Sequence, residues 1–148
     1  MKTFAIIPAA GKGKRSGHPT PKQFLKFNNK ELIAYTLEVF QKNKLIDEII
    51  VASNPDYFTL LERIKKKYRL TKISKIVKGG KERQDSVYNA LLSIDGNKND
   101  LVAVHDAARP LLSQIILTDA INIALKKGNA LVCIKARDTL ITGTNSVE

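Results

Sequence analysis

The chain opens on an apolar run, Phe4-Ala5-Ile6-Ile7, which gives way at once to Pro8-Ala9-Ala10-Gly11. A short continuous apolar run bounded by turn residues predicts a strand buried on both faces, as in a parallel sheet. Similar runs recur at 48–52, 72–77, 101–104 and 130–134. Between them the period lengthens. Leu32, Tyr35, Thr36, Val39 and Phe40 mark one face of a helix over 31–42. Asn54 is a suitable N-cap, with Pro55 at the first position of a helix that reaches Tyr68. A third helix is predicted over 82–94. A fourth starts at the cap Ser113, runs to Lys127 and ends at Gly128.

Strands alternating with helices predict an α/β fold: an open, mostly parallel, Rossmann-like sheet with helices on both faces. No internal repeat or low-complexity linker divides residues 1–148, which read as one domain. In such sheets ligands sit beyond the carboxyl ends of the strands, where strand order reverses. If the first strand neighbours the strand at 101–104, two segments meet there. One is the loop from Pro8 to Lys22, and the other is His105-Asp106-Ala107-Ala108-Arg109-Pro110.

Composition narrows the class. Apolar residues make up 43% and charged residues 26% of the 148, as in a soluble globular protein. No apolar run approaches the roughly 20 residues of a membrane helix, and the amino terminus reads as a strand rather than a signal peptide. The single cysteine, Cys133, lies in an apolar run and is expected in the core, with no internal disulfide. These features point to the cytoplasm, or to an organelle matrix after loss of a transit peptide. The net charge of +11 raises nucleic-acid binding. Much of it, however, lies in Lys65-Lys66-Lys67, Arg69 and Lys126-Lys127, near helix ends where cations complement the macrodipole. No specific nucleic-acid signature accompanies it.

The loop Pro8-Ala9-Ala10-Gly11-Lys12-Gly13-Lys14-Arg15-Ser16-Gly17 carries the candidate chemistry. Small residues let backbone approach a ligand, and turned backbone presents N–H groups to an anion. The G-x-x-x-x-G-K-[ST] spacing is absent. So is the third glycine of the dinucleotide fingerprint, and the second strand closes on Ser53-Asn54 rather than on an acidic residue. The glycines alone leave a solvated strand-to-helix turn as open as a polyphosphate loop. Lys22, between Pro19-Thr20-Pro21 and Gln23-Phe24-Leu25, is either a surface lysine or a cation directed by a stiff support. Gly79-Gly80 is either a helix-start turn or space for a base whose edge Ser86 bonds. Asp106 is either a turn former or the acidic partner of a magnesium–nucleotide complex. His105 reads as packed and hydrogen-bonded at its strand end, and His18 as a bystander.

Taken in order, these segments resemble one family. Pro8-Ala9-Ala10-Gly11-x-Gly13-x-Arg15, Pro21-Lys22-Gln23-Phe24-Leu25, Gly79-Gly80-x-x-Arg83-x-x-Ser86-Val87, Val104-His105-Asp106-Ala107-Ala108-Arg109-Pro110 and Arg137-Asp138-Thr139 look like the 2-C-methyl-D-erythritol 4-phosphate cytidylyltransferases. The related ribitol-5-phosphate cytidylyltransferases share the architecture. Ala9-Ala10, Ala108 and Arg137-Asp138-Thr139 favour the methylerythritol enzymes.

The resemblance implies a magnesium-dependent transfer of cytidylyl from CTP to methylerythritol 4-phosphate in the non-mevalonate isoprenoid pathway. Magnesium would be bound mainly through the CTP phosphates. By the same resemblance Arg15 and Lys22 stabilise the transition state. Pro8, Ala9, Ala10, Gly11 and Gly13 shape the triphosphate loop. Ala9, Ala10, Gly80, Lys81 and Ser86 surround the cytosine, and Asp106 and Ala107 lie at the ribose and substrate side. Arg109 and Thr139 face the acceptor, Thr139 from the partner of a homodimer. Family members continue well beyond the Arg137-Asp138-Thr139 segment, with an arm that embraces the partner and further acceptor-site residues. Residues 1–148 are therefore expected to expose a sheet edge, to bind CTP, and to transfer cytidylyl groups poorly by themselves.

Overall fold

A computed structural model describes residues 1–11 and 19–134. In chain order it contains β1 (Thr3–Pro8), β2 (Lys26–Phe27), β3 (Lys30–Glu31), α1 (Leu32–Lys42), β4 (Glu48–Ser53), α2 (Phe58–Lys67), β5 (Ile73–Lys78), α3 (Arg83–Leu92), β6 (Leu101–Val104) and α4 (Gln114–Lys127). β2 and β3 form a small antiparallel ribbon, and the main sheet has the order β5-β4-β1-β6. Every pairing in that sheet is parallel, with Ile6 opposite both Ile50 and Val104.

The continuous apolar runs become strands because β1 and β4 are covered on both faces. Ala5, Ile7, Ile49 and Val51 join one cluster with Leu37 of α1, Leu61 of α2 and Leu117 of α4. Phe4, Ile6, Ile50 and Ala52 form a second with Ala90 of α3. Helices therefore lie on both faces, as the alternating pattern predicts. β1 also neighbours β6, the arrangement that brings the two candidate segments together.

The helix ends follow local chemistry. The Ser113 hydroxyl accepts from the Ile116 N–H at 3.2 Å and caps α4, while Gly128 closes it with φ +87°. Asn54 does cap, accepting from the Asp56 N–H at 3.3 Å. What it caps is a 3-10 turn over Pro55–Tyr57, and α2 begins only at Phe58. The expected single helix from Pro55 to Tyr68 is thus a tight turn followed by a shorter helix.

The strand expected over 130–134 does not form, and Cys133 is exposed rather than buried. Leu131 is 90% and Ile134 87% exposed. An apolar run becomes a strand only where a neighbour takes its backbone groups. Among the described residues β6 pairs only with β1, and 130–134 pairs with nothing. Among the described residues β6 stands at one edge of the sheet, with Val104 exposed. No described helix is long and apolar enough to cross a membrane.

Candidate nucleotide site

Beyond the carboxyl end of β1 the chain is held from several sides. The Ala9 N–H donates to the Ala52 carbonyl at 2.7 Å, extending the sheet by one step. The Gln23 amide, Nε2, donates to the Ala9 carbonyl at 2.7 Å and to the Gly11 carbonyl at 2.9 Å. Gln23 belongs to a 3-10 turn over Lys22–Phe24, and both Gln23 and Phe24 are buried. The Phe24 ring stacks on Tyr57 with centroids 4.5 Å apart, fixing the turn against the segment after β4. Pro21 is buried as well, while Lys22 between these anchors is exposed. A cleft of about 250 Å³ opens here, lined by Ala9, Ala10, Gly11, Pro21, Gln23 and Tyr57 among others.

The segment after β5 closes against this loop. The Gly79 N–H donates to the Ser53 carbonyl at 2.8 Å. A Cβ on Gly79 would fall 2.3 Å from the Ala10 Cβ, so only glycine lets the two backbones approach so closely. Gly80 is equally confined, since a Cβ there would fall 2.1 Å from the Asp85 Cβ. Asp85 cannot easily retreat, because its carboxylate accepts from the Glu82 N–H in the capping box that starts α3. The buried Ser86 hydroxyl accepts from the Gly80 N–H at 3.0 Å and donates to the Glu82 carbonyl at 3.1 Å. Lys81 is exposed beside it.

The third side follows β6. The His105 N–H continues the ladder to the Ile6 carbonyl. Its ring Nε2 lies 2.9 Å from the Arg109 carbonyl and packs against Phe40, as expected of a structural histidine. Asp106 accepts from Nε of Arg83 at 2.9 Å and from Nε of Arg109 at 3.1 Å. One carboxylate thus gathers two guanidiniums, one from the start of α3. Ala107 is buried, and its carbonyl accepts from the Thr36 hydroxyl of α1 at 2.9 Å.

Comparison with known proteins decides the family. The model of 2-C-methyl-D-erythritol 4-phosphate cytidylyltransferase matches residues 3–147. The chain belongs to the 2-C-methyl-D-erythritol 4-phosphate cytidylyltransferase family. A relative of that name from Clostridium botulinum (strain Loch Maree) is 43% identical over 94% of this chain and 60% of its own length. One from Clostridium perfringens (strain SM101) is 44% identical, over 94% and 61%. Among solved structures, 4-diphosphocytidyl-2C-methyl-D-erythritol synthase from Anaerococcus prevotii aligns with a TM-score of 0.70 at 29% identity, over 85% of this chain and 52% of that one. The cytidylyltransferase from Francisella tularensis aligns at 0.63 and 39%, over 82% and 51%. The chain spans about 60% of the length of the curated relatives it matches.

Within this cytidylyltransferase-family fold, the structure gathers Pro8, Ala9, Ala10 and Gly11 with Lys22, and Gly80, Lys81 and Ser86 with that loop through Gly79. Asp106, Ala107 and Arg109 follow the adjoining strand β6. Gly13, Arg15 and Thr139 lie outside the described residues, as does His18. Three contributions were not assigned from the sequence. Gln23 ties the turn of Lys22 to the loop, Arg83 joins Asp106, and Thr36 holds the Ala107 carbonyl. The first two lie inside motifs whose spacing could have drawn attention to them. Thr36 carried no signal, since it reads as one position on an apolar helix face.

The donor set bears on magnesium. Among the described residues no three carboxylate, imidazole or thiolate groups come together as a cage. The Asp106 oxygens are already shared by two guanidiniums. A magnesium ion carried on the phosphates of a nucleotide would ask little of such a set, which by itself assigns no cation.

Two shifted carboxylates, Glu48 and Asp100, lie at the opposite end of the sheet. Hydrogen bonding from Lys2 holds the Glu48 carboxyl below its ordinary value. Asp100, accepting from the Asn97 and Lys2 backbone N–H groups, is lowered as well. These groups tie down the amino ends of β1, β4 and β6.

Proposed function

We propose that this chain supplies the nucleotide side of cytidylyl transfer from CTP to 2-C-methyl-D-erythritol 4-phosphate. The products are 4-diphosphocytidyl-2-C-methyl-D-erythritol and pyrophosphate. The observation that carries this reading is the close approach of Gly79 to Ala10, which joins a phosphate-type loop to a small-residue turn. A loop serving phosphates alone has no need of that second wall. A nucleotide has a use for both.

In the reaction a phosphate oxygen of the acceptor attacks the α-phosphorus of CTP, and the bond to the pyrophosphate oxygen breaks. No covalent intermediate is required, so catalysis rests on positioning and charge. Backbone from Pro8 to Gly13 receives the triphosphate. Ala9, Ala10, Gly80, Lys81 and Ser86 surround the cytosine, and Asp106 and Ala107 adjoin the ribose. Arg15 and Lys22 neutralise charge as it develops on the phosphorus. Arg109 and Thr139 meet the acceptor. When bound, magnesium would supply further neutralisation of the phosphates, and Asp106 is a carboxylate of this chain that could take part in holding it. A cytoplasmic homodimer accords with the family resemblance.

The test is an assay with CTP, magnesium and methylerythritol phosphate, the product identified by mass spectrometry and ribitol 5-phosphate run in parallel. Cytidylyl product from methylerythritol phosphate supports the whole reading. Because the chain covers 60% of its relatives, a second reading is a nucleotide-binding piece that lacks turnover. CTP binding without product selects it, and absence of CTP binding overturns both.

A further inference from the structure

We infer that Gln23 is a positioning residue that aims the phosphate loop, and that it acts through the peptide between Ala9 and Ala10. This rests on the reading that the loop receives a triphosphate. A side-chain amide can face either way, but here its orientation is fixed. Two carbonyl oxygens, of Ala9 and Gly11, lie within 2.9 Å of the atom facing them, so that atom must be the donor nitrogen. The Ser53 hydroxyl approaches the Ala9 carbonyl from 3.5 Å as well. Both lone pairs of that carbonyl are thereby turned into the protein.

The consequence follows from peptide geometry. The described backbone contains no cis peptide bonds. In a planar trans peptide the C=O of one residue and the N–H of the next point in opposite directions. Holding the Ala9 carbonyl toward Gln23 therefore turns the Ala10 N–H the opposite way, away from Gln23. Among the described residues no acceptor takes that N–H. Such an N–H, with cations near it in the chain, is an anion donor.

Gln23 also sits beside Lys22 in one turn, braced by Phe24 on Tyr57. The loop and the lysine are thus fixed to each other through a single side chain. Gln23→Glu keeps the shape and replaces the donor by a carboxylate facing two carbonyl oxygens. The repulsion should release the Ala9 carbonyl and let the peptide rotate.

The experiment uses tripolyphosphate, CTP and CMP on isotopically labelled protein. In the wild type, tripolyphosphate should shift the Ala10 amide resonance downfield. In Gln23→Glu that shift should vanish, and affinity for CTP should fall by about tenfold or more through loss of an aligned donor to a charged group. CMP should lose less, because it keeps its base contacts to Gly80, Lys81 and Ser86 and has no β- or γ-phosphate to lose. A merely structural role would weaken CTP and CMP alike. Tripolyphosphate binding in the wild type that leaves the Ala10 amide unmoved overturns the inference, even if the variant does not fold. Equal CTP affinity in wild type and Gln23→Glu also overturns it. Failure of the wild type to bind either CTP or tripolyphosphate removes the underlying reading and the inference with it.

Discussion

The Asp106 carboxylate, just after β6, holds Nε of Arg83, the first residue of α3, at 2.9 Å. This pair crosses the site from the strand next to β1 on one side to the helix that follows β5 on the other. Arg109 adds a second guanidinium to the same carboxylate at 3.1 Å. All three side chains remain substantially exposed. Exposed ion pairs contribute only about 0–1 kcal/mol. Asp106→Ala should therefore change stability little while altering ligand choice. It frees two cations and removes the oxygens assigned to the ribose side. The ratio of CTP to tripolyphosphate affinity should fall, which competitive titration would measure. An unchanged ratio would remove Asp106 from the nucleotide site.

Gly79→Ala tests the wall between the loop and the base. The new Cβ would lie 2.3 Å from the Ala10 Cβ and 3.0 Å from the Ser86 Oγ. Such overpacking costs about 1–3 kcal/mol, read by chemical denaturation. CTP affinity should fall with it, because the movement that relieves the clash displaces Ala10. If both stability and affinity stayed at wild-type levels, the contact would have no functional meaning.

Thr36→Val probes the support beneath Ala107. The substitution leaves the buried Ala107 carbonyl without its donor, at a cost of about 1–3 kcal/mol. The 105–109 turn should loosen, and amide hydrogen exchange across it should quicken. Thr36→Ser keeps the hydroxyl and should recover most of the loss.

Acid should loosen the end of the sheet away from the site. Glu48 is held below its ordinary value by Lys2, and Asp100 by backbone N–H groups. A carboxyl lowered in the folded state contributes stability at neutral pH, and that contribution is lost as pH falls through the folded value. Stability should thus be flat near neutrality and drop below about pH 4. Glu48→Gln should lower stability at pH 7 and flatten the acid decline. An equally steep decline in the variant would assign the effect elsewhere.

The fold was legible where the chain buries strands on both faces. Phe4-Ala5-Ile6-Ile7 and Ile49-Ile50-Val51-Ala52 can be little else in an alternating chain. The same logic failed at 130–134, because an apolar run states only that a strand could form. Whether a neighbour exists is a property of the sheet, and β6 pairs only with β1 among the described residues. Pro55 marked a helix start but not its type, since a fixed φ suits a 3-10 turn as well as an α-helix. At the site, residue types and motif order pointed to the loop, to Gly79-Gly80 and to Asp106. They could not show that Gln23 turns a carbonyl inward or that Asp106 gathers two arginines. Those are facts of three-dimensional proximity between segments far apart in the chain.

The central claim is that the loop after β1 and the glycine turn after β5 form one pyrimidine-nucleotide site. Calorimetric titration of the protein with CTP, ATP and GTP, each with magnesium, tests it most directly. The cramped walls at Ala9, Ala10, Gly79 and Gly80 should favour the smaller base, so CTP should bind more tightly than either purine nucleotide. Equal affinities for all three would leave only a loop that holds phosphates, and would contradict the account.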